Sequence, residues 1–191
     1  MNQIDADIAE KSERTAADRS SRGSSLEIVQ SELGQLKRIA AGMGLDAADA
    51  EDAMQDVSIQ ALRHLKKCRT REDAVRWLMK VTVNRCLIEH RRRRSFRKHA
   101  PDILRDRSRA KANPSGAEQK AIATEELEIV REGLRELEGV YLGPIVLTYF
   151  CDLSSQEVGR VLGMNPSTVR SRLREGRMIL AKRLMERGIE R

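Results

Sequence analysis

Apolar residues recur along this chain at the three- and four-residue spacing of a helix. Leu26, Val29, Leu33, Leu36 and Ile39 or Ala40 fall on one face. Gly42-Met43-Gly44 interrupts that pattern, and a second stripe follows through Ala50, Ala53, Met54, Val57, Ala61 and Leu65. This predicts helices over about 26–41 and 47–65. A basic loop, 66–71, leads into a third helical stretch from near Asp73 through Arg92. Further on, Leu127, Val130, Leu134 and Leu137 share a face in a helix beginning near Thr124, and Gly143-Pro144 precedes an apolar helix from Ile145 to Phe150. No strand signal of comparable strength occurs, so the expected class is all-α.

Two segments lack this periodicity. Met1 to Ser25 is polar and Ser-rich, which reads as a disordered extension. Ser95 to about Ile122 carries Pro101, Pro114, Gly116 and many charges but few regularly spaced apolar residues. A stretch of that length without a core is a linker or a functional loop. The expected organisation is an extension over 1–25, a helical domain over 26–95, a linker over 96–123 and a second helical domain over 124–191. These are two small domains on a flexible linker, each with a modest core of its own.

The sharpest local pattern lies at Leu153 to Leu184, LSSQEVGRVLGMNPSTVRSRLREGRMILAKRL. Ser154 and Glu157 have capping-box spacing, in which each end satisfies an orphan helix donor of the other. Val158, Val161 and Leu162 give the first short helix its buried face. Gly163 suits a left-handed stop, Asn165 an N-cap and Pro166 the first helical position. Two helices separated by about three residues make a helix-turn-helix, which the second domain is expected to contain. In the second helix Val169, Leu173, Leu180 and Leu184 are spaced to pack inward. Arg170, Arg174 and Arg177 lie on a different face, with Ser167 and Ser171 near the amino end. The amino-terminal part of such a helix enters the major groove, where Arg contacts guanine bidentately.

Charge placement sharpens this picture. The net charge of +7 divides into −1 over 1–25, −3 over 26–66, +11 over 67–111, −6 over 112–157 and +6 over 158–191. Two basic zones, each after a helical core, suit a polyanion such as nucleic acid. Composition removes other classes. No run approaches the roughly 20 apolar residues of a membrane span. Met1 to Arg22 has no apolar signal core, so a cytoplasmic protein without membrane insertion is expected. Cys68, Cys86 and Cys151 are odd in number and far apart, which fits free thiols better than disulfides or a zinc site. His64, His90 and His99 form no ligand set, and His90 beside Arg91 to Arg94 reads as a solvated residue. No nucleophile–base set, phosphate loop or metal cluster is present in the sequence, so no enzyme, metal or cofactor is expected.

The N-terminal half chooses among DNA-binding families. DAEDAMQDVSIQALRHL at Asp49 to Leu65 and WLMKVTVNRCLIEHRRRR at Trp77 to Arg94 resemble region 2 of the sigma-70 family, in its compact extracytoplasmic-function (ECF) group. Leu134 to Leu173 resembles region 4. The resemblance covers roughly 26–94 and 125–184. It implies a non-enzymatic sigma factor that binds core RNA polymerase and recognises promoter DNA at −10 and −35 elements, with an anti-sigma factor as a probable partner in the family's manner. Carried over residue by residue, it places Asp49, Asp52, Gln55 and Asp56 against the polymerase. Trp77 and Asn84 match the −10 pattern, with Arg85, Arg91 and Arg92 nearby, and the loop from Lys67 to Ala74 corresponds to the segment that captures an unpaired base. Arg170, Ser171 and Arg174 take base-reading positions at −35, flanked by Ser167, Thr168 and Arg177. Glu175 stands where many members carry a basic or polar residue, and a carboxylate there repels phosphate.

The residues themselves agree with these assignments. Trp77 and Asn84 are seven apart and share a helix face. A ring can stack on an exposed base and an amide can bond its edge, beside arginines that grip phosphate. Trp77 as a core residue is the plainer alternative. Asp52 and Asp56 are spaced i,i+4 with no basic partner at that spacing in their own helix, so they should point outward. A competing function is a helix-turn-helix regulator whose residues 26–94 form a sensory or dimerisation domain.

Overall fold

The structure, a computed structural model, describes residues 25–99 and 118–189. The expected N-terminal extension and most of the expected linker lie outside them. Seven α-helices cover the described residues: α1 (25–42), α2 (Ala47–His64), α3 (Arg71–His99), α4 (Glu118–Glu136), α5 (Gly139–Tyr149), α6 (Ser155–Leu162) and α7 (Pro166–Met185). A single 3-10 turn, Leu65–Lys67, joins α2 to the loop before α3. No strand occurs among the described residues.

The predicted stripes become the core, with instructive exceptions. Val29, Leu36, Ile39 and Ala40 of α1 are buried, as are Ala53, Met54, Val57 and Ala61 of α2 and Leu65 just after it. Leu26 and Leu127 do not follow their stripes. They are 44% and 53% exposed; Leu26 lies at the amino end of α1, and Leu127 at the middle of α4. The third helix is longer than expected at both ends. Thr70 accepts from the Asp73 amide and starts it early, and the arginine run continues it as solvated helix. His90 is buried, not solvated as the neighbouring arginines suggest. It sits one turn beyond Cys86, on the inward side of α3. Helix α5 starts at Gly139 and runs through Pro144, where the sequence suggested a start at Ile145. The missing proline N–H costs a ladder bond, and the burial of Leu142, Ile145, Val146 and Leu147 offsets it.

The two halves do not keep separate cores. One continuous apolar cluster runs from Val29 to Leu173. Close approach at the junction depends on missing side chains. A methyl added at Gly42 of α1 would lie 2.9 Å from the Phe150 ring, and one at Gly139 would lie 2.9 Å from Leu87 of α3. Gly143 faces Val83 in ordinary contact. Arg135 Nε donates to the Gly44 carbonyl at 3.2 Å, and Arg160 of α6 stands 3.7 Å from Glu72 of α3. Periodicity reports which face of a helix is buried, not what buries it, so this junction was not legible in the sequence.

The helix-turn-helix forms as expected. Gly163 is left-handed at φ 71°, and the Met164 amide reaches back to the Gly159 carbonyl at 2.8 Å. A Cβ on Gly159 would lie 2.6 Å from the Met164 carbonyl oxygen, a backbone atom that cannot step aside. Gly159→Ala should therefore destabilise the protein by about 1–3 kcal/mol through overpacking. Gly34→Ala, with nothing within 4 Å, should be neutral or stabilising by up to about 1 kcal/mol. Urea denaturation of both variants checks the contrast.

Candidate nucleic-acid interface

Helix α3 divides its residues among three directions. Leu78, Thr82 and Cys86 go inward, with the Thr82 hydroxyl donating to the Leu78 carbonyl at 2.8 Å. Burial pushes the Cys86 thiol up to about 12, so it stays protonated and behaves as a core residue. Val83 and Leu87 meet the second half of the chain. Lys80, Asn84, Ile88, Arg91 and Arg92 are exposed on the remaining side.

Trp77 stands at the border of that exposed side. It is half-buried, packs against the core and stacks on His64, with ring centroids 5.3 Å apart and planes 15° from parallel. The ring is thus partly covered by the core and by His64, and it lies on the same side of α3 as exposed Asn84. His64 as its stacking partner carried no signal in the sequence, because the contact bridges two helices.

The acids of α2 are not all free to face a partner. Arg85 Nε donates to Asp56 at 2.6 Å, and Arg93 bonds Asp46 at 2.8 Å and also engages Asp49. Glu89 is buried between Arg85, Arg92 and Arg93, with Arg92 Nη2 at 2.6 Å. Asp56 has no basic partner in its own helix and stays 48% exposed, but Arg85 of α3 supplies one from outside that helix. Asp49 is drawn in the same way, to 19% side-chain exposure. Asp52 and Gln55 are exposed and lie on the outer side of α2. Arg85, taken in sequence as a phosphate contact, is 24% exposed and holds α2 to α3. Arg91 and Arg92 remain at the surface, although Arg92 is shared with Glu89.

In α7 the inward set is Val169, Leu173 and Gly176. Leu180 and Leu184 are half-buried against Gly133 of α4. Ser167, Thr168, Arg170, Ser171, Arg174 and Arg177 are all exposed. None of the three arginines is in an ion pair among the described residues. Asn165 occupies the N-cap position, but its side chain makes no capping bond there; Pro166 follows at the first helical position. Glu175 is exposed, turned from the arginine face, and lies near the Tyr141 phenol of α5. Desolvation first, and then this carboxylate, pushes the Tyr141 phenol up. The acid thus sits toward Tyr141, a neighbour that the sequence did not reveal.

These features define a helical, helix-turn-helix protein with a second exposed basic and aromatic helix. Residues 28–96 match the family described as Sigma-70 region 2, and residues 127–180 match Sigma-70, region 4. The chain belongs to the sigma-70 family, in its ECF group. It is 29% identical over 86% of its length to the ECF RNA polymerase sigma factor SigE of Mycolicibacterium smegmatis, spanning 63% of that protein. A match of 29% to the probable RNA polymerase sigma factor RfaY of Xanthomonas campestris pv. campestris covers 78% of this chain but 37% of that one. The ECF RNA polymerase sigma factor SigL of Mycobacterium tuberculosis is 26% identical, over 82% of this chain and 86% of that protein. The chain thus spans less than two thirds of the first two relatives. The solved structure of CnrH in complex with the cytosolic domain of CnrY shares the fold, with a TM-score of 0.57, 22% identity and coverage of 91% of this chain and 99% of that one. A region 2 over residues 28–96 displaces the sensory-domain alternative.

The α6 capping box offers a check on this local geometry. Ser154 Oγ accepts from the Glu157 amide at 3.3 Å, and Glu157 Oε2 accepts from the Ser154 amide at 2.8 Å. The Ser154 hydroxyl and amide hold the Glu157 carboxyl below its ordinary value of 4.5. A depressed folded pKa contributes stability that is present above 4.5 and is lost as pH falls through the depressed value. Ser154→Ala should move the Glu157 titration, followed by NMR, up toward 4.5, and should flatten this part of the acid limb of Tm against pH.

Proposed function

We propose that this protein is a sigma factor that binds core RNA polymerase and directs initiation at particular promoters. The observation that carries this reading is the presence, in one chain and in this order, of the region 2 and region 4 matches, each with an exposed basic surface. The chain carries no reaction of its own; the polymerase makes the RNA. It acts in the cytoplasm, where polymerase and promoter are. No described helix is long and apolar enough to cross a membrane.

The exposed faces support a division of labour. On α7, Arg170, Ser171 and Arg174 read base edges of the −35 element in the major groove, with Ser167 and Thr168 at the helix start. On α3, Trp77 and Asn84 take unpaired −10 bases by stacking and edge bonding, while Arg91 and Arg92 approach phosphates. Asp52 and Gln55 meet the polymerase directly. Asp49 and Asp56 contribute to the field of that surface while tied to Arg93 and Arg85, and complementary charge there speeds association and fixes orientation. A partner protein of the anti-sigma kind holds the factor inactive; its fold relative CnrH was solved with the cytosolic domain of CnrY.

In vitro transcription with core polymerase and a library of genomic promoters tests the whole reading. Discrete promoters should be transcribed only when this chain is added. In the Arg170→Ala, Arg174→Ala double variant, −35 discrimination should fall by about 1–3 kcal/mol per contacted base pair, measured by competition between matched and mismatched promoters. Unchanged promoter choice would reject α7 as the reader.

Trp77→Ala and Asn84→Ala should impair promoter opening more than closed-complex formation, because unpaired bases exist only after melting. Permanganate footprinting of the −10 region should show reduced thymine reactivity in both variants at saturating holoenzyme. Normal reactivity would leave Trp77 as a core anchor stacked on His64.

A further inference from the structure

Helix α5 ends on two adjacent aromatic residues that point in different directions. Phe150 caps the helix, its amide bonding the Val146 carbonyl at 2.9 Å, and its ring turns in toward Gly42. Tyr149 turns out and is 54% exposed. Its hydroxyl oxygen stands 3.4 Å from Arg177 Nη1, across the gap between α5 and α7. Arg177 is the last of the three exposed arginines on the α7 face and lies seven residues, two turns, beyond Arg170.

The chemistry of this pair is directional. A guanidinium has donors only, so it can meet the phenol only at its oxygen. The phenol proton is then left to donate elsewhere, away from the cation. Tyr149 and Arg177 together thus present hydrogen-bond donors and positive charge to solvent, while Glu175 lies near Tyr141 on the other flank of α7. Asp152 is exposed in the turn after α5, three residues from Tyr149, and makes no ion pair with Arg177. A cationic, donor-rich edge beside α7 fits an oxygen anion of fixed position. Along duplex DNA that anion is a backbone phosphate at the side of the groove, and tyrosine and arginine are both common donors to it.

We propose that Tyr149 and Arg177 form a clamp on one DNA phosphate bordering the −35 element. Arg177 then sets the register of α7 on the duplex, and Arg170 and Arg174 read bases within that register. Tyr149 belongs to α5, outside the two helices of the reading motif, so the clamp ties the preceding helix to the DNA as well. The inference rests on α7 being the −35 helix.

The test measures closed-complex affinity of holoenzyme, reconstituted from core polymerase and full-length chain, on a promoter that the wild type selects and on −35 variants of it. Tyr149→Phe keeps the ring and removes only the hydroxyl. It should weaken binding on the order of 3- to 10-fold, the scale of one hydrogen bond, equally for every −35 sequence, with the wild-type salt slope. Arg177→Ala should weaken binding uniformly too and reduce the salt slope by about one. Tyr149→Phe should have less effect in the Arg177→Ala background than alone. Arg174→Ala serves as the control, since it should change which −35 sequence is preferred. Binding by Tyr149→Phe within about twofold of wild type, with Arg174→Ala still altering preference, overturns the clamp and leaves the −35 reading standing. A change of sequence preference in Tyr149→Phe also overturns it, because a phosphate contact carries no base information. Wild-type behaviour of all the variants, Arg174→Ala included, overturns the −35 reading and the clamp with it.

Discussion

The roll of α3 about its own axis is the constraint on which the other features depend. Leu78, Val83 and Cys86 are fully buried, and together they fix which side of the helix faces the core. Once they are inside, Arg85, Glu89 and Arg93 face α2, Val83 and Leu87 face α5, and Lys80, Asn84 and Arg91 face solvent beside Trp77. A single helix of 29 residues thereby holds its own domain together, docks the second half of the chain and presents the candidate −10 surface. Apolar burial sets this arrangement, because it is the largest favourable contribution available to a core with so few aromatics.

The electrostatics are fitted to that roll. Glu89 is nearly buried, which would be costly for a lone carboxylate, and three arginines surround it. Two of those arginines, Arg85 and Arg93, also reach acids of α2. The acidic helix and the basic helix are thus not independent surfaces for polymerase and DNA. They share an internal layer of ion pairs, and only the outward members on each side, Asp52 and Gln55 on one and Asn84 and Arg91 on the other, stand clear of it. Partly buried pairs of this kind resist screening by salt more than exposed ones do.

The second half uses different means to fix α7. Val169, Leu173 and Gly176 seat α7, and the missing side chain at Gly176 lets Tyr141 come close. The capping box and left-handed Gly163 set where α6 begins and stops. The two tyrosines of α5 then occupy opposite flanks of α7, one near Glu175 and the other meeting Arg177. Docking against α3 keeps both candidate DNA faces exposed, so the junction of the two halves controls their separation and leaves their chemistry accessible.

Much of this was legible in the sequence, and the reason is that helices report themselves locally. The all-α class, the stripes of α1, α2 and α7, the capping box, the left-handed glycine and the arginine face each follow from spacings within one or two turns, where backbone geometry alone decides which residues are neighbours. Family membership followed for the same reason, since its motifs are such local runs in a fixed order. Contacts between helices distant in the chain were not legible. Asp56 with Arg85, Trp77 with His64, Glu175 with Tyr141 and Tyr149 with Arg177 all depend on how helices cross, as does the burial of His90. The apolar stripe of a helix states that something covers it, without stating which element. By itself the sequence determined the helices, their exposed basic faces and the family. Only the tertiary structure decided which charges neutralise one another and which stay free for a partner, because that depends on distances between side chains that chain order does not encode.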